Sequence, residues 1–141
     1  MNTRCLSLVA LIGAVVLSLT ACRGVGLFRG DPLSGTSWTL VTYGPNKVLA
    51  GTTITATFRN GQVHGSGGCN DCGGPYRVMG NSFTLGALAI TEKACLNPEG
   101  AMEQEGLIVR LLGAARTFQL SGGKLIIVSA NGEALTFVPQ T

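Results

Sequence analysis

A run of alternating residues followed by a tight-turn signal places the strongest constraint on how this chain can fold. Between Thr52 and Phe58 apolar residues alternate with threonines, which is the pattern of a strand that buries one face. Asn60-Gly61 follows almost directly, and this pair favours a type I′ turn because both central positions take a positive φ. Residues 62–67 then return as a second strand. The sequence therefore predicts an antiparallel β-hairpin in the first half of the chain.

Further strand patterns are more numerous than helical ones. The chain has 21 glycines and only 12% charged residues, a composition typical of short strands joined by tight turns. The additional strand candidates are residues 36–43, 76–79, 82–85, 87–91, 117–120, 124–128 and 135–138.

One amphipathic helix is predicted in the second half of the chain. Asn97 is a suitable N-cap, Pro98 suits the first helical position, and an apolar stripe extends to about Ala114. Many antiparallel strands with one helix predict an α+β, mainly antiparallel β fold: a curved sheet or partial barrel with one packed helix. The expected core residues are Trp38, Phe58, Tyr76, Phe83, Leu85, Ile108, Leu111, Phe118 and Phe137.

The N-terminus has the pattern of an export signal. Its apolar run, Leu6 to Leu19, is shorter than the ~20 residues of a spanning helix. The run ends in Leu19-Thr20-Ala21-Cys22, which resembles the bacterial lipoprotein signal and implies that Cys22 carries acyl chains. Two or more chains would make the membrane anchor stable. An ordinary cleaved signal peptide and an uncleaved anchor are the alternatives.

These features predict three regions and a location. Residues 1–21 are expected to be the signal peptide, 22–34 the lipidated N-terminus and tether, and 35–141 the folded domain. The protein would be attached to the membrane of the cell envelope through its lipid. Arg23 follows the cysteine, where an inner-membrane retention signal usually has Asp. In a Gram-negative bacterium we therefore expect the outer membrane, facing the periplasm.

The remaining charges give no sign of a nucleic-acid partner. Without residues 1–21 the chain has nine basic and seven acidic side chains, and no basic cluster interleaved with aromatic residues.

Three cysteines belong to the predicted domain, so they cannot all pair within one chain. An oxidising envelope favours disulfides over free thiols. A Cys69–Cys95 bond would close a loop of roughly 26 residues and stabilise the fold by about 3–4 kcal/mol, whereas Cys69–Cys72 would close a very small loop. We favour the Cys69–Cys95 disulfide with Cys72 unpaired. Another pairing, free thiols and metal coordination remain open.

Catalytic and metal-binding patterns are weak. His64, Cys69, Cys72 and Cys95 could supply four zinc ligands, but a single Cys-x-x-Cys with two scattered donors is not specific. Cys69-Asn70-Asp71-Cys72 has the Cys-x-x-Cys spacing of a thioredoxin-type redox motif, but such a motif begins a helix. Gly73-Gly74-Pro75 follows here and does not favour a helix start. The single histidine also leaves no serine hydrolase pattern. We therefore expect no enzyme activity, cofactor or metal, with a thiol-redox or metal-binding protein as the alternative.

An ordered set of short motifs is similar to the META domain family. The resemblance implies a small envelope domain of antiparallel strands with one helix, linked to heat response and antibiotic tolerance, and without an established enzymatic activity. The chain departs from the family at Cys72, where an aromatic residue is expected. The matching residues are Trp38-Thr39-Leu40, Gly65-x-Gly-Gly-Cys69-Asn70, Gly74-x-Tyr76, Thr91-x-x-Ala94-Cys95, Met102-Glu103-Gln104-Glu105, Leu111, Leu125 and Phe137.

Our leading interpretation is a non-enzymatic lipoprotein that supports the envelope or stress tolerance by binding an envelope protein. We expect the amide of Asn70 to satisfy buried backbone groups, with Thr91 and Glu105 in similar roles. A carrier of a small apolar ligand is a further alternative, because a curved sheet can enclose an apolar cavity.

Overall fold

The computed structural model describes residues 30–141. The predicted signal peptide, Cys22 and most of the predicted tether lie outside the described residues. The described part contains ten strands and one helix: β1 (Thr36–Tyr43), β2 (Asn46–Lys47), β3 (Thr55–Arg59), β4 (Gln62–Ser66), β5 (Asp71–Met79), β6 (Ser82–Leu85), β7 (Ala89–Ile90), α1 (Ala101–Gly113), β8 (Ala115–Ser121), β9 (Lys124–Ser129) and β10 (Ala134–Pro139).

Eight strands form a closed antiparallel barrel in the order β1-β3-β4-β5-β6-β8-β9-β10. The ring closes because β1 pairs with β3 on one side and with β10 on the other, where Leu40 lies opposite Phe137. Between β6 and β8 the register contains one pair, Ser82 with Thr117. β2 pairs with β1, and β7 pairs with β5. The prediction of a curved sheet or partial barrel was therefore too coarse: the barrel is closed.

The predicted hairpin is confirmed. Asn60 and Gly61 have φ values of 51° and 74°, and β3 pairs with β4 around them. β5 begins at Asp71, five residues before the predicted start. Glycines lower the apparent strand propensity there, yet the fold needs one of them: a Cβ on Gly74 would lie 2.5 Å from the main-chain oxygen of Ala87.

The two ends of the barrel differ, because successive barrel strands alternate in direction. At the end where the chain enters β1, the entry end, lie the short turns at 60–61, 80–81 and 122–123. At the opposite end, the helix end, lie the β4–β5 connection, the long segment 86–100 with α1, and the turn at 130–133. No helix among residues 30–141 is both long and apolar enough to cross a bilayer.

The helix begins later than the sequence predicts. Asn97 and Pro98 were expected to be the N-cap and first helical residue, but both precede the helix, which starts at Ala101. Gly100 is the N-cap and has a left-handed φ of 86°. This left-handed residue separates the turn at 97–100 from the helix, because helical backbone cannot run through it. The helix ends at Gly113, close to the predicted end.

The core fills the barrel and the space beneath α1. Of the nine predicted core residues eight are buried, and Leu85 is partly buried. Phe58 and Tyr76 pack edge to face with ring centroids 4.9 Å apart. Leu33 is fully buried although it lies in the predicted tether, so the fold begins before residue 35. Further buried side chains that the list of expected core residues leaves out are Leu40, Tyr43, Ile54, Leu125, Ile127 and Leu135.

Candidate functional site at the disulfide-linked corner

The connection between β4 and β5, residues 67–70, forms the corner where most of the sequence-predicted functional residues meet. The N–H of Gly67 donates to the carbonyl of Asn70 at 2.7 Å, which closes the turn. Gly68 has a φ of 103°, a conformation that side chains other than glycine rarely adopt. A Cβ on Gly67 would lie 2.2 Å from Oε1 of Glu105. The corner therefore approaches α1 more closely than a bulkier sequence would allow.

Asn70 is the centre of the polar contacts at the corner, and it is buried. Its main-chain N–H donates to Oε1 of Glu105 at 2.8 Å, and its Nδ2 donates to Oε2 at 2.7 Å. Its Oδ1 accepts from the N–H of Lys93 at 2.6 Å and from Oγ1 of Thr91 at 2.9 Å. The predicted roles of Asn70, Thr91 and Glu105 in satisfying polar groups are confirmed.

Gln104, which the sequence reasoning did not single out, connects the same helix turn to a different loop. Its Oε1 accepts from the N–H of Leu49 at 2.7 Å, and its Nε2 donates to Oγ1 of Thr52 at 3.0 Å. Gln104 lies four residues before Ile108 and therefore on the buried face of α1. That spacing was the available signal for a buried amide.

A disulfide and an ion pair also hold the corner. Cys69 is bonded to Cys95, with their Cα atoms 5.8 Å apart. Next to it, Nζ of Lys93 lies 2.7 Å from Oδ2 of Asp71, in an exposed pair. Together with the contacts of Asn70, these bonds attach segment 86–100 to the start of β5.

Cys72 is a free, half-buried thiol on the inner side of β5. It lines an apolar cavity of about 40 Å³ with Phe58, Leu88 and Leu112 among its neighbours. Burial raises the pKa of the Cys72 thiol, and the negative charges of Glu105 and Asp71 raise it further. The thiolate is the nucleophilic form, so this environment disfavours thiol chemistry at neutral pH.

The four donors of the metal and redox alternatives are not brought together. Cys69 and Cys95 are bonded to each other, so neither offers a thiolate. His64 lies opposite Gly73, while Cys72 lies opposite Gly65. Adjacent residues of a strand face opposite sides, so the imidazole is outside the barrel and the thiol inside. Within residues 30–141 no group of three or more His, Cys, Asp or Glu side chains is placed to hold a metal ion.

The interior offers little space for a ligand. The cavity of about 40 Å³ is far below the ~300–1,000 Å³ of a small-molecule pocket and is close to the space taken by one water. Among the described residues, every buried side-chain nitrogen and oxygen has a hydrogen-bond partner. These observations do not favour the carrier alternative, and they assign the polar residues of the corner to holding the fold together.

Comparisons with known proteins agree on the fold. The structure resembles the NMR structure of a protein from Burkholderia xenovorans, with a TM-score of 0.63, 24% identity, and coverage of 84% of this chain and 97% of that one. A DUF4847 family protein from Bacteroides vulgatus gives a TM-score of 0.55, 13% identity, and coverage of 78% and 97%. No curated protein matches the chain. The sequence model of the META domain matches residues 31–141. The chain therefore belongs to the META domain family.

Proposed function

We propose that this protein is a non-enzymatic, lipid-anchored domain of the bacterial cell envelope that supports stress tolerance by binding an envelope protein. The lipid would be attached at Cys22, and the protein would face the periplasm from the outer membrane of a Gram-negative cell. Membership of the META domain family supports this role.

The observation that carries the non-enzymatic part is the use of the polar side chains at the corner. Asn70, Gln104 and Glu105 are buried, and each donates or accepts hydrogen bonds within the fold. The remaining candidates, Cys72 and His64, lie on opposite sides of the sheet. This arrangement supports a binding domain over a catalyst, since a general base has to reach its nucleophile or substrate.

The partner-binding part is supported by exposed apolar side chains at the helix end. Leu96 is 82% exposed in segment 86–100, and Met102 is 44% exposed in the first turn of α1. Burial of these side chains against a partner would remove apolar surface from water and so stabilise the complex.

Metabolic labelling with an alkynyl fatty acid tests the anchor. We expect wild-type protein to incorporate the label and to fractionate with membranes, while Cys22→Ser does neither. Cys72→Ser serves as the matched control and should label like wild type, because its thiol is half-buried within the fold. Equal labelling of wild type and Cys22→Ser would overturn the lipid anchor.

Site-specific photocrosslinking in cells tests the partner. A photoreactive residue at position 96 should give one discrete adduct, whereas the same residue at the exposed position 120 of the opposite end should not. The strain lacking the protein should lose viability under heat or envelope stress and recover it with the wild-type gene only. Absence of both the adduct and the phenotype would contradict the proposed role.

A further inference from the structure

The entry end of the barrel combines exposed basic and apolar side chains. Arg59 ends β3, and Lys124 begins β9. Arg77 lies two residues before the end of β5, and Met79, the last residue of that strand, is 83% exposed. Leu120, near the end of β8, is 45% exposed. Within residues 30–141 the only ion pair joins Lys93 to Asp71, so none of these basic groups is paired there.

The same end receives the chain from the N-terminal segment. Asp31 lines a surface depression together with Arg77 and Met79. Oδ2 of Asp31 accepts a hydrogen bond from the hydroxyl of Tyr76, and Oδ1 accepts one from the N–H of Leu33 at 2.9 Å. The point of chain entry is thus fixed beside Met79 rather than at the helix end.

Charge is distributed unequally between the two ends. Asp31, which accepts a hydrogen bond from Tyr76, is the acidic side chain at the entry end among residues 30–141. The helix end and its connections contain the other acidic residues, accompanied by Lys47, Lys93, Arg110 and Arg116. Those acidic residues are Asp71, Glu92, Glu99, Glu103, Glu105 and Glu133. An anionic surface would accordingly attract the entry end more than the helix end.

We propose that the entry end lies against the bilayer, where Arg59, Arg77 and Lys124 contact anionic phospholipid headgroups and Met79 enters the interfacial region. This placement rests on the proposed lipid at Cys22. Asp31 lies nine positions after Cys22, so even a fully extended segment holds Asp31 within about 30 Å of the lipid-bearing residue. This tether keeps the domain near the membrane and lets the entry end come within about one Debye length, roughly 8–10 Å, of the surface, where acidic lipids attract basic residues.

Two methionines provide built-in probes of this orientation. Met79 lies at the entry end and Met102 at the helix end, and both are exposed. The experiment uses full-length lipidated protein, labelled with ¹³C-methyl methionine, in nanodiscs of phosphatidylethanolamine and phosphatidylglycerol with a gadolinium-chelating headgroup lipid. We expect the paramagnetic relaxation enhancement of the Met79 methyl group to exceed that of Met102 at least threefold. Equal enhancements, or a larger one at Met102, would overturn the placement.

Paired charge variants test the headgroup contact. Arg77→Gln/Lys124→Gln should lower the ratio of the two enhancements at least twofold, as should nanodiscs without phosphatidylglycerol. Lys47→Gln/Arg110→Gln removes the same two residue types at the helix end and should leave the ratio unchanged. A ratio that responds equally to both pairs would overturn the charge contact.

The lipid is measured separately by intact mass and by co-migration with the nanodiscs. Protein without acyl chains on Cys22 would overturn the proposed function and this placement with it. If the protein is lipidated and co-migrates with the nanodiscs, but the relaxation enhancement of Met79 does not exceed that of Met102, only the placement would be overturned.

Discussion

The carboxylate of Glu105 accepts hydrogen bonds from both the main-chain N–H and the side-chain amide of Asn70, at 2.8 and 2.7 Å. Glu105 lies in the first half of α1 and Asn70 at the corner, 35 residues earlier in the chain. One buried pair therefore connects the helix to the barrel wall.

Glu105→Gln should destabilise the protein by about 1.5–3 kcal/mol. A glutamine can accept at one oxygen, but its amide nitrogen would then face the Nδ2 donor of Asn70, leaving donors unpaired in a buried site. Urea unfolding gives the free energy. Glu103→Gln is the matched control, since its side chain is exposed on the same helix, and should change stability by less than about 0.5 kcal/mol. Equal effects of both substitutions would contradict the structural role of Glu105.

Gly65→Ala should prevent stable folding or cost more than about 3 kcal/mol, because its Cβ would lie 1.8 Å from the carbonyl oxygen of Thr55. Backbone cannot move aside as readily as a side chain. Gly106→Ala is the control: this exposed helical position has nothing within 4 Å of the added Cβ. It should gain about 0.5–1 kcal/mol from helix propensity. Thermal unfolding followed by circular dichroism compares the two variants, and similar melting temperatures would refute the prediction.

Removal of the disulfide by Cys69→Ala/Cys95→Ala should lower the free energy of unfolding by about 3–4 kcal/mol, because the unfolded chain regains the entropy of a 26-residue loop. Wild-type protein in the presence of reductant should unfold at about the same urea concentration as the double variant. Cys72→Ala in the presence and absence of reductant should show the same difference as wild type, since Cys72 is unpaired. A disulfide-free variant as stable as wild type would oppose this.

Tyr76 should make stability decrease at alkaline pH. Burial raises the pKa of Tyr76, and its hydrogen bond to the charged Asp31 raises it further. A tyrosine of the unfolded chain ionises near pH 10, so the contribution of Tyr76 is complete below that pH and is lost as the pH rises towards the folded-state pKa. Wild type should be more stable than Tyr76→Phe at pH 8, and urea unfolding should show this gap narrowing above pH 10. A constant gap would show that Tyr76 ionises alike in both states.

Cys72 should react slowly with Ellman's reagent at pH 7.5. Its half-buried position and raised pKa both keep the thiolate fraction and its accessibility low. We expect a rate at least tenfold below that of the same protein in urea, and an increase with pH. Cys72→Ala reports any contribution from other thiols. If Cys72 of the native protein reacts rapidly with Ellman's reagent, the result would contradict this prediction and favour the thiol-redox alternative.

Local patterns predicted much of the barrel wall. Asn60 and Gly61 determine their own turn through backbone preferences, so the β3–β4 hairpin could be read from a few residues. Closure of the barrel could not be predicted in this way, because Leu40 pairs with Phe137, which lies near the other end of the domain's sequence. No local pattern records such a contact. Leu33 was missed for a related reason: its short, glycine-flanked stretch shows no periodicity, and only the tertiary fold buries it.

The candidate site was predicted in part. The resemblance to the META domain family pointed to the residues of the corner, and the known conformational and covalent uses of asparagine, glycine and cysteine gave them structural roles. The helix start was wrong because Asn97 is a favourable cap in isolation, whereas the turn before α1 ends at Gly100. Gln104 was overlooked because an amide on a helix is usually solvated, and its partners Leu49 and Thr52 are more than 50 residues away.

The bond between Asp31 and Tyr76 has a mechanical consequence. If the chain is tethered through its N-terminal segment, any pull transmitted along that segment reaches Asp31 and the fully buried Leu33 before it reaches β1. The load is then shared with β5, on which Tyr76 lies, rather than concentrated on the first residues of the strand that closes the ring. We therefore expect the domain to withstand tension on its N-terminal segment without separation of β1 from β10.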